Sequence, residues 1–354
     1  MTQHPVAELN PSKRLFRELR EWLASLLVCC VSLGFLSSCS TNNGKRSGTS
    51  LTKVTIGLQI SPAMTLVFTA KDKGFFLDQG LDVEIKEFTA GKFALQAFLG
   101  GSLDFAVSGE VPACLASLQG NQFRVVTQVV ESTVNEVRVV ALKDGDVTDP
   151  HQYFKLKKRK IATSFGGGPE FFTYNFLLYN QIAQDEVEII SQRPEDMPAA
   201  LATHSVDAIA IFDPFAFVAE KQMRGEVITF ANPTLYSELY VLTARVEQIE
   251  KSPDVIEALM KALIRAATFI DEHPEDAKEI LRRHTKLERD VIDGIWSNFS
   301  FKPALNQKLV DYWNAQSIWA RNAGKIKPET KVPDFRLLID DRFLKRLKPE
   351  AVKF

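Results

Sequence analysis

Cysteine is scarce. Of four in 354 residues, Cys29, Cys30 and Cys39 fall within the first forty, which leaves Cys114 alone on an apolar, helix-like stretch. A single thiol there builds neither a disulfide framework nor a cysteine metal site, and its surroundings suit a buried structural role. Histidine is equally thin: the five present are scattered, with no pair at the helical spacing that metal ligation uses. No metal and no cofactor is expected. An excess of either charge is also missing, since 43 basic and 44 acidic residues leave a net charge of −1. The basic run KLKKRK (155–160) reads as a solvated segment before a strand, and nucleic acid is not an expected partner. Three consecutive glycines at 166–168 are not followed by the Lys-Ser/Thr of a P-loop, which disfavours nucleoside triphosphates.

Long apolar runs are lacking as well. The stretch from Trp22 to Leu36 has signal-region length and is too short to span a bilayer comfortably. Lys13, Arg14, Arg17 and Arg20 precede it, and Leu36-Ser37-Ser38-Cys39 ends it, followed by polar STNNGKRSG. This arrangement resembles a bacterial lipoprotein signal, in which small residues before the cysteine fit a peptidase and the thiol accepts the lipid. Residues 1–38 are thus expected to leave as a signal peptide, with Cys39 lipidated and 39–50 a flexible tether. A plain secretory signal or an N-terminal membrane helix is the alternative.

From Leu51 onward, short β-branched runs alternate with helical ones, the pattern of an α/β protein with largely parallel sheets. Strands are expected near 53–60, 81–88, 103–109, 123–130 and 137–143, and again near 160–164, 186–191, 207–212 and 226–230, with 239–246 before a mostly helical tail. The βα series therefore occurs twice. SLDFAVSGEVPA (102–113) and SVDAIAIFDPFA (205–216) echo each other at a constant offset that superposes Asp104 on Asp207 and Glu110 on Asp213. In parallel sheets ligands bind beyond the carboxyl ends of the strands. Ser108-Gly109-Glu110 and Asp213 are accordingly expected on opposite lips of a cleft, where acids would meet the N–H donors or the positive end of a solute. Asp213 also reads as a helix N-cap before Pro214, and one residue can do both.

A third strand end adds different chemistry. In TSFGGGPEFF (163–172), Ser164, Phe165, Gly166 and Gly167 lead to Pro169 at a helix start. Inward-turned backbone amides and the helix dipole make such a loop an anion nest, a gain of about 0.3–1 kcal/mol for an exposed anion. It also reads as an ordinary turn of small residues. Phe165, Phe212 and Phe68 are candidates for the cleft walls.

These residues resemble a known family. KDKGFFLDQGLDVEIKEFTAGKFALQAFLGGSLDFAVSGEVPA carries Gly74-Phe75-Phe76, Gly80-Leu81-Asp82-Val83, Gly91 and Gly101-x-Leu103-Asp104. RPEDMPAALATHSVDAIAIFDPF (193–215) and IDDRFLKRLKPEAVKF (339–354) complete an ordered set similar to the solute-binding proteins of nitrate, sulfonate, taurine and bicarbonate ABC importers. The resemblance implies the two-lobed, type II periplasmic-binding-protein fold, with lobe 1 at 51–142 and 235–354, lobe 2 at 143–234, and hinge crossings near 137–146 and 231–242. It further implies ligand contacts at Gln59, Ser61, Thr89, Ser108 and Thr133, no catalysis, and a lipid-anchored extracytoplasmic monomer serving a permease and its ATPase. The implied ligand is a small polar solute such as taurine, another sulfonate, nitrate or bicarbonate. A thiamine-precursor aminopyrimidine is the alternative ligand. A pyrimidine-synthase-like enzyme of the same fold is disfavoured, because that family's cysteine-rich motif is absent, and a sensory lipoprotein is the remaining class. One departure stands out: Thr203-His204-Ser205 replaces the usual glycine before Val206-Asp207, which leaves an exposed His204 where a positive φ is easiest for glycine.

Overall fold

The strands at the centre of both sheets, FAVSG and LYVLTA in one and AIAI in the other, carry no charged residue and are buried throughout because they are covered on both faces. The structure, a computed structural model, describes residues 51–132, 136–232 and 234–354, and these form one compact unit. The first βα series gives β1 (Thr52–Gln59), α1 (Thr65–Asp72), β2 (Leu81–Phe88), α2 (Gly91–Leu99), β3 (Phe105–Gly109), α3 (Glu110–Leu118) and β4 (Arg124–Ser132). The second gives β5 (Arg138–Leu142), β6 (Arg159–Thr163), α4 (Gly168–Tyr179), β7 (Val187–Ser191), α5 (Met197–Ala202), β8 (Ala208–Ile211), α6 (Phe215–Gln222) and β9 (Val227–Phe230). The chain then returns through β10 (Leu239–Ala244) to the helices α7 (Pro253–Glu272), α8 (Pro274–Thr285) and α9 (Arg289–Ile295). The short strand β11 (Phe299–Ser300) and α10 (Gln307–Asn322) follow.

Two sheets result, ordered β11-β4-β10-β3-β1-β2 and β7-β6-β8-β5-β9. Each contains a parallel trio, β2-β1-β3 and β7-β6-β8, flanked by an antiparallel strand. The flanking strands are exchanged across the crossings: β10 enters the first sheet after the second has been made, and β5 enters the second directly after the first series. This is the two-lobed type II arrangement expected from the sequence. The first crossing, however, comes earlier than the expected 137–146. Arg138–Leu142 bonds to β8 and β9, so the chain leaves the first sheet between Ser132 and Arg138. The return runs from Phe230 to Leu239, and the Ser132 amide donates to the Glu238 carbonyl at 2.9 Å, which ties the two crossings together.

The sequence echo has a structural counterpart. Asp104 Oδ2 accepts the Thr55 amide of β1 at 2.7 Å, and Asp207 Oδ2 accepts the Lys160 amide of β6 at 2.8 Å, so each aspartate pins the neighbouring strand at the same place in its lobe. Three residues before each, the backbone is left-handed, with Gly101 at φ +85° and His204 at +57°. His204 is exposed, and its main chain adopts a conformation that glycine enters at lower cost.

In the helical tail, α7 turns Ile256, Leu259, Met260, Leu263, Ala267 and Ile270 inward at three- and four-residue spacing. That face packs on α1 and α8. Phe68, buried there, stacks on His284 with ring centroids 4.1 Å apart, so it belongs to the lobe 1 core and not to a cleft wall. Cys114 is buried, as expected, with Sγ 3.6 Å from the Trp313 carbonyl of α10.

Candidate functional site

The strand-end loops of the two lobes meet beside the crossings. In lobe 1, the Gly91 amide that opens α2 donates to Gln59 Oε1 at 2.9 Å, and Gln59 Nε2 donates to Ser61 Oγ at 3.1 Å. Gln59, Ser61 and Ser108 are all buried here, with Ser108 Oγ 3.1 Å from the Gly109 carbonyl, whereas Thr89 is exposed. Thr133 and the lipidation residue Cys39 lie outside the described residues.

Glu110 is fully buried and fully employed. Its Oε1 accepts from Tyr236 Oη at 2.7 Å and Gln316 Nε2 at 2.8 Å, and its Oε2 accepts from the Leu239 amide at 2.9 Å. Burial pushes its carboxyl up, against the pull of those donors. Asp213 is buried too, paired with Arg138 at 3.0 Å and accepting from Asn298 Nδ2 at 2.7 Å and the Phe217 amide at 3.2 Å. The cleft-facing role expected of both acids therefore gives way to a hinge role. Glu110 fastens α3 to the returning crossing and α10. Asp213 fastens the end of β8 to β5 and to the segment after α9. Its bond to the Phe217 amide retains part of the expected capping function.

The glycine loop is likewise occupied from within. The Gly166 amide donates to Glu170 Oε2 at 2.6 Å, and Glu170 Oε1 pairs with Lys325 Nζ at 2.6 Å, which joins lobe 2 to the tail of lobe 1. Lys325 lies 5.5 Å over Phe165 and 5.3 Å over Trp319. Lys92 Nζ, at the start of α2, donates to the Phe165 carbonyl at 2.8 Å, a second bond between lobes. Burial holds the Lys92 ammonium below its ordinary range, Glu170 works against that, and Lys325 adds to it. The nest expected at 164–168 thus has a resident anion, the chain's own carboxylate. Phe212 packs edge-on against Phe215 at 5.8 Å.

Two buried acids escaped the sequence reading. Glu136 stands at the end of the first crossing and Glu238 at the end of the second; an acid at the same point of both crossings was the available signal. Tyr240 Oη donates to Glu136 Oε1 at 3.1 Å and lies 3.3 Å from Glu238 Oε2. Burial and the neighbouring Asp213 charge push Glu136 up to about 8; burial, then Glu136 and Glu110, push Glu238 well up. Glu238 Oε1 is wedged between helix starts of both lobes, where a β-carbon on Gly109 or Gly168 would stand 2.6 or 2.7 Å from it.

That contact predicts an effect. Gly168→Ala also places its new carbon 2.5 Å from Tyr236 Oη, so the lobes must shift or the crossing must repack. A cost of about 1–3 kcal/mol is expected. Gly167→Ala meets nothing nearer than 3.6 Å and serves as the control. Urea denaturation of the two variants checks this; equal stabilities would refute the wedge.

Comparison with known proteins agrees with this architecture. An aliphatic sulfonates-binding protein description attaches to a Bacillus subtilis (strain 168) relative that is 24% identical over 331 residues, covering 92% of this chain and 97% of the relative. The formylaminopyrimidine-binding protein of Halalkalibacterium halodurans is 24% identical over 280 residues, covering 73% of this chain and 77% of the relative. Among solved structures, the periplasmic aliphatic sulphonate binding protein SsuA from Escherichia coli superposes with a TM-score of 0.70 at 20% identity, over 82% of this chain and 98% of that one. The NMT1/THI5 like family model matches residues 61–277, a span that runs from just after β1 through both crossings and the whole second sheet into α8, and the chain belongs to that family.

Proposed function

We propose that this chain is the solute-binding component of an ABC importer, held on the outer side of the membrane by lipid on Cys39, with residues 1–38 removed. One observation carries the reading. Two lobes of matching strand order meet at the carboxyl ends of their parallel strands, joined by two crossings and by bonds from Lys92 and Lys325 to the opposite lobe. A solute held between such lobes gains contacts from both only when they close, so binding shifts the open–closed equilibrium by its differential affinity. The permease and ATPase would then respond to the closed shape. The sulfonate-binding names of the relatives point to a small polar solute of the sulfonate class. The buried carboxylates beside the crossings favour a second reading, an aminopyrimidine, the class named for another relative. No covalent step belongs to either.

A thermal-shift screen of alkanesulfonates, taurine, nitrate, bicarbonate and aminopyrimidines against the full chain tests this. A solute at a hundredfold its Kd should add about 2.7 kcal/mol of stability. A screen with no stabilising solute would overturn the reading. The anchor is tested separately: Cys39→Ala should leave an unprocessed or released protein, and a mature N-terminus elsewhere than Cys39 would rule lipidation out.

A further inference from the structure

We infer that Glu136 and Glu238 form a nitrogen-recognising pair, selecting solutes that bear an amine or amino-heterocycle N–H donor over solutes of the same shape that lack one. The inference rests on the solute-binding reading and names the chemistry of its ligand.

The buried acids beside the crossings divide into two kinds. Glu110 and Asp213 have both oxygens taken by donors of the protein. Glu136 and Glu238 do not. Among the described residues no hydrogen bond reaches the buried Glu136 Oε2, on a residue that is 1% exposed, although the Ser132 side chain stands beside this carboxyl and favours its charged form. No hydrogen bond among the described residues reaches Glu238 Oε1, although Glu238 is 4% exposed. A buried polar oxygen left without a donor costs about 1–3 kcal/mol, so native proteins rarely keep one where it has no use. One such oxygen on Glu136 and an unbonded one on Glu238, on two residues that share Tyr240 Oη between their other oxygens, point to a donor that arrives from outside.

The position suits a ligand. Glu238 Oε1 touches the first turn of α3 in lobe 1 and of α4 in lobe 2, and only glycine at 109 and 168 leaves it room. A group bound there contacts both lobes at once. The surrounding charges favour a donor over an anion. Glu110 faces the pair from α3 and Asp213 from the end of β8, while Tyr236 and Tyr240 supply hydroxyls. The Arg138 charge acts on Glu136, but its guanidinium is engaged by Asp213 and by both oxygens of Glu220, at 2.8 and 2.7 Å, and Nη1 donates to the Glu136 backbone carbonyl at 3.4 Å. The loop at 164–168, the natural place for an anionic head, already holds Glu170 on its Gly166 amide. An ammonium or an amino-pyrimidine edge satisfies the open oxygens, whereas a bare anion would meet four carboxyl groups.

Two pairs of probes distinguish the sources of nitrogen: taurine against ethanesulfonate, and 4-aminopyrimidine against pyrimidine. Calorimetry with the full chain should show one nitrogen-bearing probe binding at least tenfold more tightly than its partner. Glu238→Gln should shrink that ratio below threefold, and Glu136→Gln, which keeps the acceptor of the Tyr240 bond, should do the same if the first variant folds poorly. Melting curves establish that each variant is folded. Equal binding of both members of each pair, or equal losses for both in the variants, overturns the inference. If only nitrate, bicarbonate or unaminated sulfonates bind, the inference falls while the solute-binding reading stands. If no solute binds, both fall.

Discussion

An Arg138→Met variant is expected to lose about 3–5 kcal/mol of stability, the range typical of breaking a buried ion pair from one side. Arg138 is 6% exposed and forks onto Glu220 while its remaining nitrogen meets Asp213 at 3.0 Å. Burial disfavours its charge, but the Glu220 bonds and Asp213 outweigh that and keep the guanidinium firmly protonated. Methionine fills much of the same volume and supplies no donor. Asp213, 1% exposed, would retain only Asn298 and the Phe217 amide, with burial pressing it to take up a proton. The loss should therefore be partly rescued by Asp213→Asn in the same chain, which removes the stranded charge and keeps the shape. Urea melts of the single and double variants provide the check. A loss below 1 kcal/mol, or a double variant no better than the single one, would show that this pair is peripheral to the hinge.

A second large effect concerns pH. Glu136 titrates near 8 in the folded protein against an ordinary 4.5, and Glu110, Glu238 and Asp213 are shifted in the same direction. Between those values the folded protein holds a proton that the unfolded chain has released, so stability is fully present below about 4.5 and is lost as the pH rises through about 8. Groups held low, such as Asp72 and Glu220, act in the opposite sense only at lower pH. Each pKa unit is worth about 1.4 kcal/mol, and domains of 150–250 residues shift by roughly 2–4 °C per kcal/mol. The solute-free protein should therefore melt roughly 5 °C or more higher at pH 5.5 than at pH 8.5. Glu136→Gln should flatten much of that slope, and differential scanning calorimetry measures it. A flat or rising profile in the unaltered protein would be incompatible with the raised titration of Glu136 beside the crossings.

Much of the fold is legible in local pattern. The strands near 53–60, 81–88, 160–164 and 186–191 are bounded by turn residues, and the charged residues alternating through 81–88 match its place at a half-exposed sheet edge. The echo of Asp104 in Asp207 marks a real equivalence because both do one local task, holding the amide of the adjacent strand. What escapes is partnership across distance. Arg138–Leu142 reads clearly as a strand, but nothing within it says which sheet will pair with it, and the first crossing is misplaced accordingly. Glu110 looks free because glutamate caps helices poorly. Its donors, Tyr236, Leu239 and Gln316, lie 126, 129 and 206 residues away, beyond any local signal. The glycine loop misleads for the opposite reason. Its guest, Glu170, was in plain sight four residues from Gly166, and only the loop's curvature brings the two together.

The exchanged strands also impose an order on synthesis. β10 lies between β3 and β4, so β4 has no place in the first sheet until residue 244 has emerged. The second sheet needs nothing beyond residue 230. The lobe that begins second along the chain is therefore the first able to finish, while β1, β2 and β3 wait with an open edge that only the returning strand closes. An unpaired edge of that kind is a template for other chains. The interval between residues 109 and 244 is the period during which this protein most needs shielding as it is made.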